Sequence, residues 1–392
     1  MPWKDATPMD QKTQFIADVL CGTLSITELC DRYGISRKTG HKWIDRYRAE
    51  GPRGLCDRAR RPKASPNATS TEIVEAILQA RGRHPDWGAK KLLKILSKRH
   101  PDWSLPQRST VCDILKRNGL VTSPRRRRKI GHPGKPSTVP AEPNELWCAD
   151  FKGQFKTRDA RYCFPLTVTD DFSRYILGCQ SLLDTSVDNA KPVFTRLFKE
   201  FGLPWRIRTD NGVPFATTTL GRLSRLSAWW VRLGVIPEFI EPGKPQQNGR
   251  HERMHKTLKR AIVRSTRANY IAQQRVFNTF RAEFNTERPH EALAMETPAS
   301  LYAASPRAMP NRVPPLEYPD RFEKRYVSAN GGIRWNGQWV CVSTVCAGEY
   351  VGLEEIDNGI WNVFFGALKL GRLLEREMRI EDANGRLKRH NR

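Results

Sequence analysis

The sequence predicts a multidomain chain of α and α/β type, with helical modules first, a mixed-sheet core in the middle and a small β-barrel last. Three observations carry this. The apolar periodicity changes along the chain: helical up to about residue 121, strands alternating with helices over 144–303, and short strands with Asn-Gly turns after 320. Composition shifts mark the joints: PKASP at 62–66, a Pro- and Gly-rich stretch at 122–143, and five prolines within 304–319. These cut the chain into pieces 1–61, 67–121, 144–303 and 320–392. The third observation is charge: 67 Lys+Arg stand against 41 Asp+Glu among 392 residues, a net +26.

A chain this basic is expected to meet a polyanion, nucleic acid first and an anionic membrane surface second. Hydrophobic residues make up 39%, enough for real cores, which excludes wholesale disorder. No run of 18 apolar residues occurs, so no membrane-spanning helix is expected. The start, MPWKDATPMD, lacks the pattern of a secretory signal. Nine cysteines without any CxxC pair argue against a structural zinc site. A reducing, cytoplasmic setting fits them best.

In piece 1–61, Phe15, Ile16, Val19 and Leu20 place a helix over 11–21. Ser25-x-x-Glu28 is a capping box that opens a second helix. Gly34 supplies the turn, and Ser36 caps a third helix through Tyr47 with Trp43 and Ile44 inward. Arg37, Lys38, His41, Lys42 and Arg46 fall largely on its outer side. A short helix, a glycine turn and a basic second helix make a helix-turn-helix able to enter a major groove. Gly40 works against this helix, at about 1 kcal/mol relative to Ala.

Piece 67–121 repeats the theme more weakly, as a second helix-turn-helix or a winged variant. Helices are expected over 70–80, from Trp87-Gly88 onward, and over 111–116 behind a Ser109 cap. His84 and His100 have no cysteine partners and read as surface or core histidines. The linker 122–143 carries five consecutive cations, of which Arg125, Arg126, Arg127 and Arg128 suit phosphates or a groove.

Piece 144–303 predicts strands at 146–155, 162–168, 175–181, 205–210 and 236–240. Helices are expected at 185–201, 218–233 and from 247 onward. That order gives a mixed sheet with helices on its faces. Three acids are placed to converge: Asp150 inside the first strand, Asp210 before the Asn211-Gly212 turn, and Glu252 on the helix after EPGKPQQNGR. Carboxylates that crowd together suit hard cations such as Mg²⁺. Two such ions can activate a nucleophile and stabilise the leaving oxygen of a phosphodiester. Lys256 and Lys259 follow Glu252 at i+4 and i+7, a face that suits DNA lying across a metal site; i,i+4 ion pairing is the plainer reading. Asp170 and Asp171, in VTDDFSRY, read as turn formers.

Leu146-Trp-Cys-Ala-Asp150, Arg208-Thr-Asp210-Asn-Gly212 and Pro245-Gln-Gln-Asn-Gly-Arg-His-Glu252 with Arg-Met-His-Lys-Thr-Leu-Lys259 after it resemble the signature blocks of a retroviral-integrase-type catalytic core. Asn285-Thr-Glu-Arg288-Pro289-His290 through Thr297-Pro298 resembles the end of that core. With helix-turn-helix modules in front, the chain resembles a bacterial insertion-sequence transposase of the DDE class. The resemblance covers about residues 10–303. It implies a ribonuclease H-like fold and metal-dependent DNA strand transfer, with Asp150, Asp210 and Glu252 as catalytic, metal-binding triad and Lys256 and Lys259 as contacts to the element's end. Two Mg²⁺ ions are implied, with Mn²⁺ able to substitute. The implied partners are double-stranded DNA (element terminal repeats and target) and further copies of the chain, at least a dimer, with no membrane. One departure is the spacing of the last two acids, 41 intervening residues, longer than the family's usual interval; Gln246 stands where strict spacing would put the acid. Asn285, Arg288 and His290 read equally as a structural turn or a DNA-facing edge.

Piece 320–392 reads as a small SH3-like barrel, with hairpin signals at Asn336-Gly337 and Asn358-Gly359. Such a module binds DNA or a partner copy in integrase relatives, or merely packs. The rival to the whole reading is a catalytically inactive, sequence-specific DNA-binding regulator. The three acids argue against it. A host nuclease of ribonuclease H-like fold is a second rival, opposed by the two duplex-reading modules.

Overall fold

The computed structural model describes residues 7–58, 68–121, 138–241, 244–263 and 266–382. The chain divides into two compact units, Met1–Ser70 and Thr71–Arg392. The first holds helices α1 (Pro8–Cys21), α2 (Ile26–Arg32) and α3 (Arg37–Glu50). Thr7 and Ser25 form reciprocal capping boxes with Asp10 and Glu28, and Ser36 caps α3 through the Thr39 amide. Gly34 takes φ 62° in the turn between α2 and α3. Phe15, Ile16, Leu29, Cys30, Trp43, Ile44 and Leu55 form the core. Gly40, costly for helix propensity, faces this core: a Cβ there would lie 2.5 Å from Cys30 Sγ and 3.2 Å from Phe15 Cζ. The close crossing of α3 over α1 and α2 requires the missing side chain.

The second unit begins with α4 (Thr71–Arg83), α5 (Ala89–Arg99) and α6 (Arg108–Arg117) around Ile77, Trp87, Leu92, Leu96 and Val111. Ser109 lies inside α6; Gln107 occupies the cap position without a side-chain bond. No strand occurs among the described residues of 68–121, which leaves the winged alternative without its wing. This module is not a separate piece. Lys90 pairs with Glu291, Lys94 and Lys98 pair with Glu296, and His84 Nδ1 lies 2.9 Å from Glu283.

The central sheet contains β1 (Leu146–Phe151), β2 (Phe155–Lys156), β3 (Tyr162–Asp170), β4 (Ile176–Leu182), β5 (Arg206–Thr209) and β6 (Ile236–Phe239). β1 runs antiparallel to β3 and parallel to β5, and β5 runs parallel to β6, so the sheet is mixed. Helices α7 (Val187–Phe201) and α8 (Arg225–Arg232) cover one face, and α9 (Gly249–Val263) and α10 (Tyr270–Ala282) the other. Residues 218–233 do not make one helix as expected. A 3₁₀ turn, Leu220–Arg222, precedes α8, because Gly221 at φ 61° breaks the chain direction and Ser224 starts a new capping box with Ser227.

The C-terminal region contains β7 (Glu323–Tyr326), β8 (Gly332–Trp335), β9 (Gln338–Cys341), β10 (Tyr350–Asp357), β11 (Ile360–Phe365), β12 (Leu368–Leu374) and β13 (Arg379–Asp382). Five strands form an antiparallel sheet in the order β13-β12-β11-β10-β7, and β8 pairs with β9 as a hairpin. Asn336 and Gly337 both take positive φ in its two-residue turn, as the Asn-Gly signal requires. Among the described residues the strand ladder does not close, so the expected barrel is an open sheet with a hairpin. Its core, including Val340, Leu353, Val363, Phe365 and Leu370, also takes in Leu220, Leu223, Ala228 and Val231. The Pro-rich stretch 304–319 joins rather than separates the two: Arg307 O accepts from Leu203 N at 2.7 Å, and Met309 and Val313 pack on the central core. Proline lacks the N–H donor but keeps a carbonyl and an apolar ring, so such a strand-free segment can still pack. No helix among the described residues is long and apolar enough to cross a membrane.

Candidate metal centre

Side chains alternate across a strand, so β1 splits its residues between two environments. Trp147 and Ala149 join Leu166, Val168 and Ile207 against α7 and α8. Cys148 and Asp150 take the opposite parity, toward α9, with Thr167 of β3 paired directly across from Asp150. The β1–β5 register ends at Cys148–Arg208. Asp150 and Asp210 each follow by two residues, Asp210 just past the end of β5, so both acids lie at the same end of neighbouring strands.

Asp210 accepts from the Gly212 amide at 3.1 Å. The turn is held by Asn211, whose Nδ2 donates to Ile240 O at 2.9 Å and whose Oδ1 accepts from Arg222 at 2.9 Å. The start of α9 is fixed from two sides. Gln247 bonds Glu241 through both its side-chain atoms at 2.8 Å, and Arg250 reaches buried Asp171 at 2.7 Å. On α9, His251, Met254, His255, Leu258 and Ile262 are buried at helical spacing, whereas Glu252, Lys256 and Lys259 are exposed.

Burial raises the Asp150 carboxyl to about 7, and the negative charges of Asp210 and, less strongly, Glu252 add to the rise. The three acids singled out from sequence therefore share one field. Crowded carboxylates of this kind suit a cation, which would relieve both the burial cost and the repulsion.

Two histidines without a sequence-assigned role complete the site. His255 Nδ1 lies 3.6 Å from Asp150 Oδ2. His255 Nε2 lies 2.6 Å and His251 Nε2 lies 2.8 Å from Thr167 Oγ1, and His251 Nδ1 lies 2.8 Å from Thr169 Oγ1. Thr167 in turn donates to the Asp150 carbonyl at 3.0 Å. Burial lowers His251 to about 3 and His255 to about 2, so both rings are neutral. Donor atoms of Asp150, His251 and His255 all lie within 4.8 Å of one another. The signal for them was present: two histidines at i,i+4 on the same stripe as Met254 and Leu258.

The other candidates separate. Arg37, Lys38, His41 and Lys42 are exposed on α3, and Arg46 lies partly over the Trp43 ring. Arg125, Arg126, Arg127 and Arg128 lie outside the described residues. Asp170 is fully buried and accepts from Asn144 N, Ser173 N and Ser173 Oγ, a structural turn. Asn285 brackets Ile176, accepting from its amide at 2.8 Å and donating to its carbonyl at 3.0 Å, and His290 packs edge-on against Phe284. For Asn285 the structural reading holds.

Residues 140–245 and 233–298 each match an integrase core domain. Residues 11–63 match a helix-turn-helix domain, and 39–115 a homeodomain-like domain. The chain is 29% identical over 199 residues to the insertion element IS407 uncharacterized 31.7 kDa protein of Burkholderia multivorans, covering 48% of this chain and 66% of that one. It is 30% identical over 189 residues to the insertion element IS476 uncharacterized 39.2 kDa protein of Xanthomonas euvesicatoria, covering 46% and 51%. It is also 30% identical over 124 residues to the Gag-Pol polyprotein of baboon endogenous virus, covering 32% and 7%. The chain thus spans about two thirds of the first of these relatives and half of the second.

Proposed function

We propose that this chain, with an integrase core domain behind helix-turn-helix sequence and similarity to bacterial insertion-element proteins, is a DDE transposase. It binds the terminal inverted repeats of its own element in the bacterial cytoplasm, cuts the element's ends and joins them to target DNA. The observation that carries this is Asp150: a carboxylate raised to about 7 by burial and by two further acids at the end of a sheet is a site built for a cation.

In this reading Asp150, Asp210 and Glu252 hold divalent metal, two Mg²⁺ ions with Mn²⁺ as a substitute. The metal, when bound, makes a water or a DNA 3′-hydroxyl a stronger nucleophile and steadies the departing phosphodiester oxygen. The chain's own residues do the rest. The β1–β5 register, the hold of Arg250 and Gln247 on the start of α9, and the shared field of the three acids support this assignment. Lys256 and Lys259, exposed one and two turns further, meet the phosphates of the element's end. Arg37, Lys38, His41, Lys42 and Arg46 read the repeat in the major groove. The basic run at 125–128 tracks phosphates. In the C-terminal region, the open sheet and hairpin share one core and form a module that meets DNA or a second copy. Two ends must be joined, so the working form is at least a dimer.

The test uses the full chain, labelled duplexes carrying the element's ends, and Mg²⁺ or EDTA. Metal-dependent 3′-end nicking and joined products, both lost in Glu252→Gln with end binding kept, are expected. Tight end-specific binding without cleavage under any metal would instead support a regulator.

A further inference from the structure

Resting on the metal reading above, we infer that His255 Nδ1 is a ligand of the cation held at Asp150, which makes the centre a mixed oxygen–nitrogen site.

The argument is a count of hydrogens. Thr167 Oγ1 has one proton, and it goes to the Asp150 carbonyl at 3.0 Å. The hydroxyl oxygen therefore accepts from both histidines, and His251 and His255 each carry their ring proton on Nε2. In a neutral ring Nδ1 is then a bare lone pair. His251 Nδ1 spends it on the Thr169 hydroxyl at 2.8 Å, so both its nitrogens are engaged within the protein. His255 Nδ1 turns instead to Asp150 Oδ2 at 3.6 Å, too long for a hydrogen bond. Two donor atoms thus face one another across a gap that no hydrogen bond closes. Donors that each sit about 2.1 Å from one ion can be up to about 4.2 Å apart, so the gap accommodates one.

The surroundings match those of a metal-binding imidazole. Such a ring donates its second N–H to a neighbouring oxygen, which fixes its tautomer and orientation. For His255 that oxygen is Thr167 Oγ1, itself tied to the backbone of the first metal-binding residue. Among Asp150, His251 and His255, only the first and third have a donor atom left for an ion. An imidazole donor shifts preference toward Mn²⁺ and later first-row ions relative to Mg²⁺.

The test is pulsed electron paramagnetic resonance of Mn²⁺ bound to the full chain without DNA. Bound Mn²⁺ should show modulation from ¹⁴N that changes to that of ¹⁵N when the protein is made with ¹⁵N-histidine. His255→Gln should remove the nitrogen signal and weaken Mn²⁺ by at least about tenfold. The labelling arm needs no variant, so it decides the matter even where His255→Gln fails to fold. Mn²⁺ that binds and is lost in Asp150→Asn, yet shows no nitrogen modulation, overturns the His255 assignment and leaves the carboxylate site standing. Absence of any Asp150-dependent Mn²⁺ binding overturns both.

Discussion

On one face of the central sheet, Trp147, Ala149, Leu166, Val168 and Ile207 pack against α7 and α8; on the other, Asp150, Thr167 and Thr169 meet α9. These are neighbours in sequence, assigned to opposite faces by the period of two. The apolar face excludes water with large side chains that need no partners, Trp147 excepted, whose Nε1 donates to Asn144 at 3.0 Å. The polar face is almost as dry, and each hydroxyl or ring on it is tied to another. Burying polar groups is costly unless they are hydrogen-bonded, so that face contributes less to stability and more to orientation. The contrast points to where chemistry belongs in such a core: at the pair on the dry polar face, Asp150 and His255 Nδ1, that faces across 3.6 Å without a hydrogen bond between them.

The largest effects should divide cleanly between the faces. Asp150→Asn should cut metal-dependent end nicking on the order of 10³-fold or more. The thermal midpoint of the metal-free protein should hold or rise, because the change removes a buried charge repelled by Asp210 and Glu252. A lowered midpoint would mean that Asp150 is a structural anchor. Trp147→Ala, next door but two on the strand, should do the reverse. Emptying a fully buried indole site should cost about 3–5 kcal/mol in urea unfolding. Stability kept with nicking lost would break the division.

The elements that carry the three acids were legible because each has its own local mark: the apolar run LWCADF, a strand end before Asn-Gly, a helix opened by QQNGR. The caps of α1–α3 and the Asn-Gly hairpins were legible for the same reason, since their chemistry lies within four residues. What depended on distant partners was not. His251 and His255 sit on an apolar stripe, and their meaning comes from Thr167 and Thr169 more than 80 residues earlier. Lys90 and Lys94 carry no local sign of their partners Glu291 and Glu296, which lie about 200 residues on. Gly40 read as a weakness because propensity is local and the Cys30 sulfur it accommodates is not.

The pH dependence of the metal-free protein sharpens the polar face further. His251 and His255 have an ordinary value of 6.5 and are held at about 3 and about 2 in the fold. Above pH 6.5 they are neutral folded or unfolded; as pH falls below it, the unfolded chain takes up protons the fold refuses, and stability drops. Asp150 acts oppositely. Its value rises from 3.8 to about 7, so between those limits the fold keeps a proton that the unfolded chain releases. For these three groups the balance below pH 6.5 is one proton, roughly 1.4 kcal/mol lost per pH unit on acidification. Asp150→Asn should steepen that loss to about two protons' worth, read as urea midpoints between about pH 4.5 and 6.5. A shallower slope in the variant would show that Asp150 is not held protonated.

The smallest effects come from exchanging chemistry between adjacent residues. Thr169 donates to His251 Nδ1 from the polar face, while Val168 is fully buried on the apolar one. Thr169→Val keeps the shape and removes the donor, leaving a buried ring nitrogen unpaired at a cost of about 1–2 kcal/mol. Val168→Thr keeps the shape and adds a hydroxyl among Leu177, Phe194 and their neighbours, where no partner is provided, at a similar cost. The two changes are isosteric and one residue apart, so volume and strand propensity nearly cancel between them. Equal losses from opposite chemistry would mean that the sheet distinguishes its faces by hydrogen bonding rather than by packing alone. If Thr169→Val were neutral, His251 would not be held from Nδ1. The hydrogen count that leaves His255 Nδ1 bare would then rest on Thr167 alone.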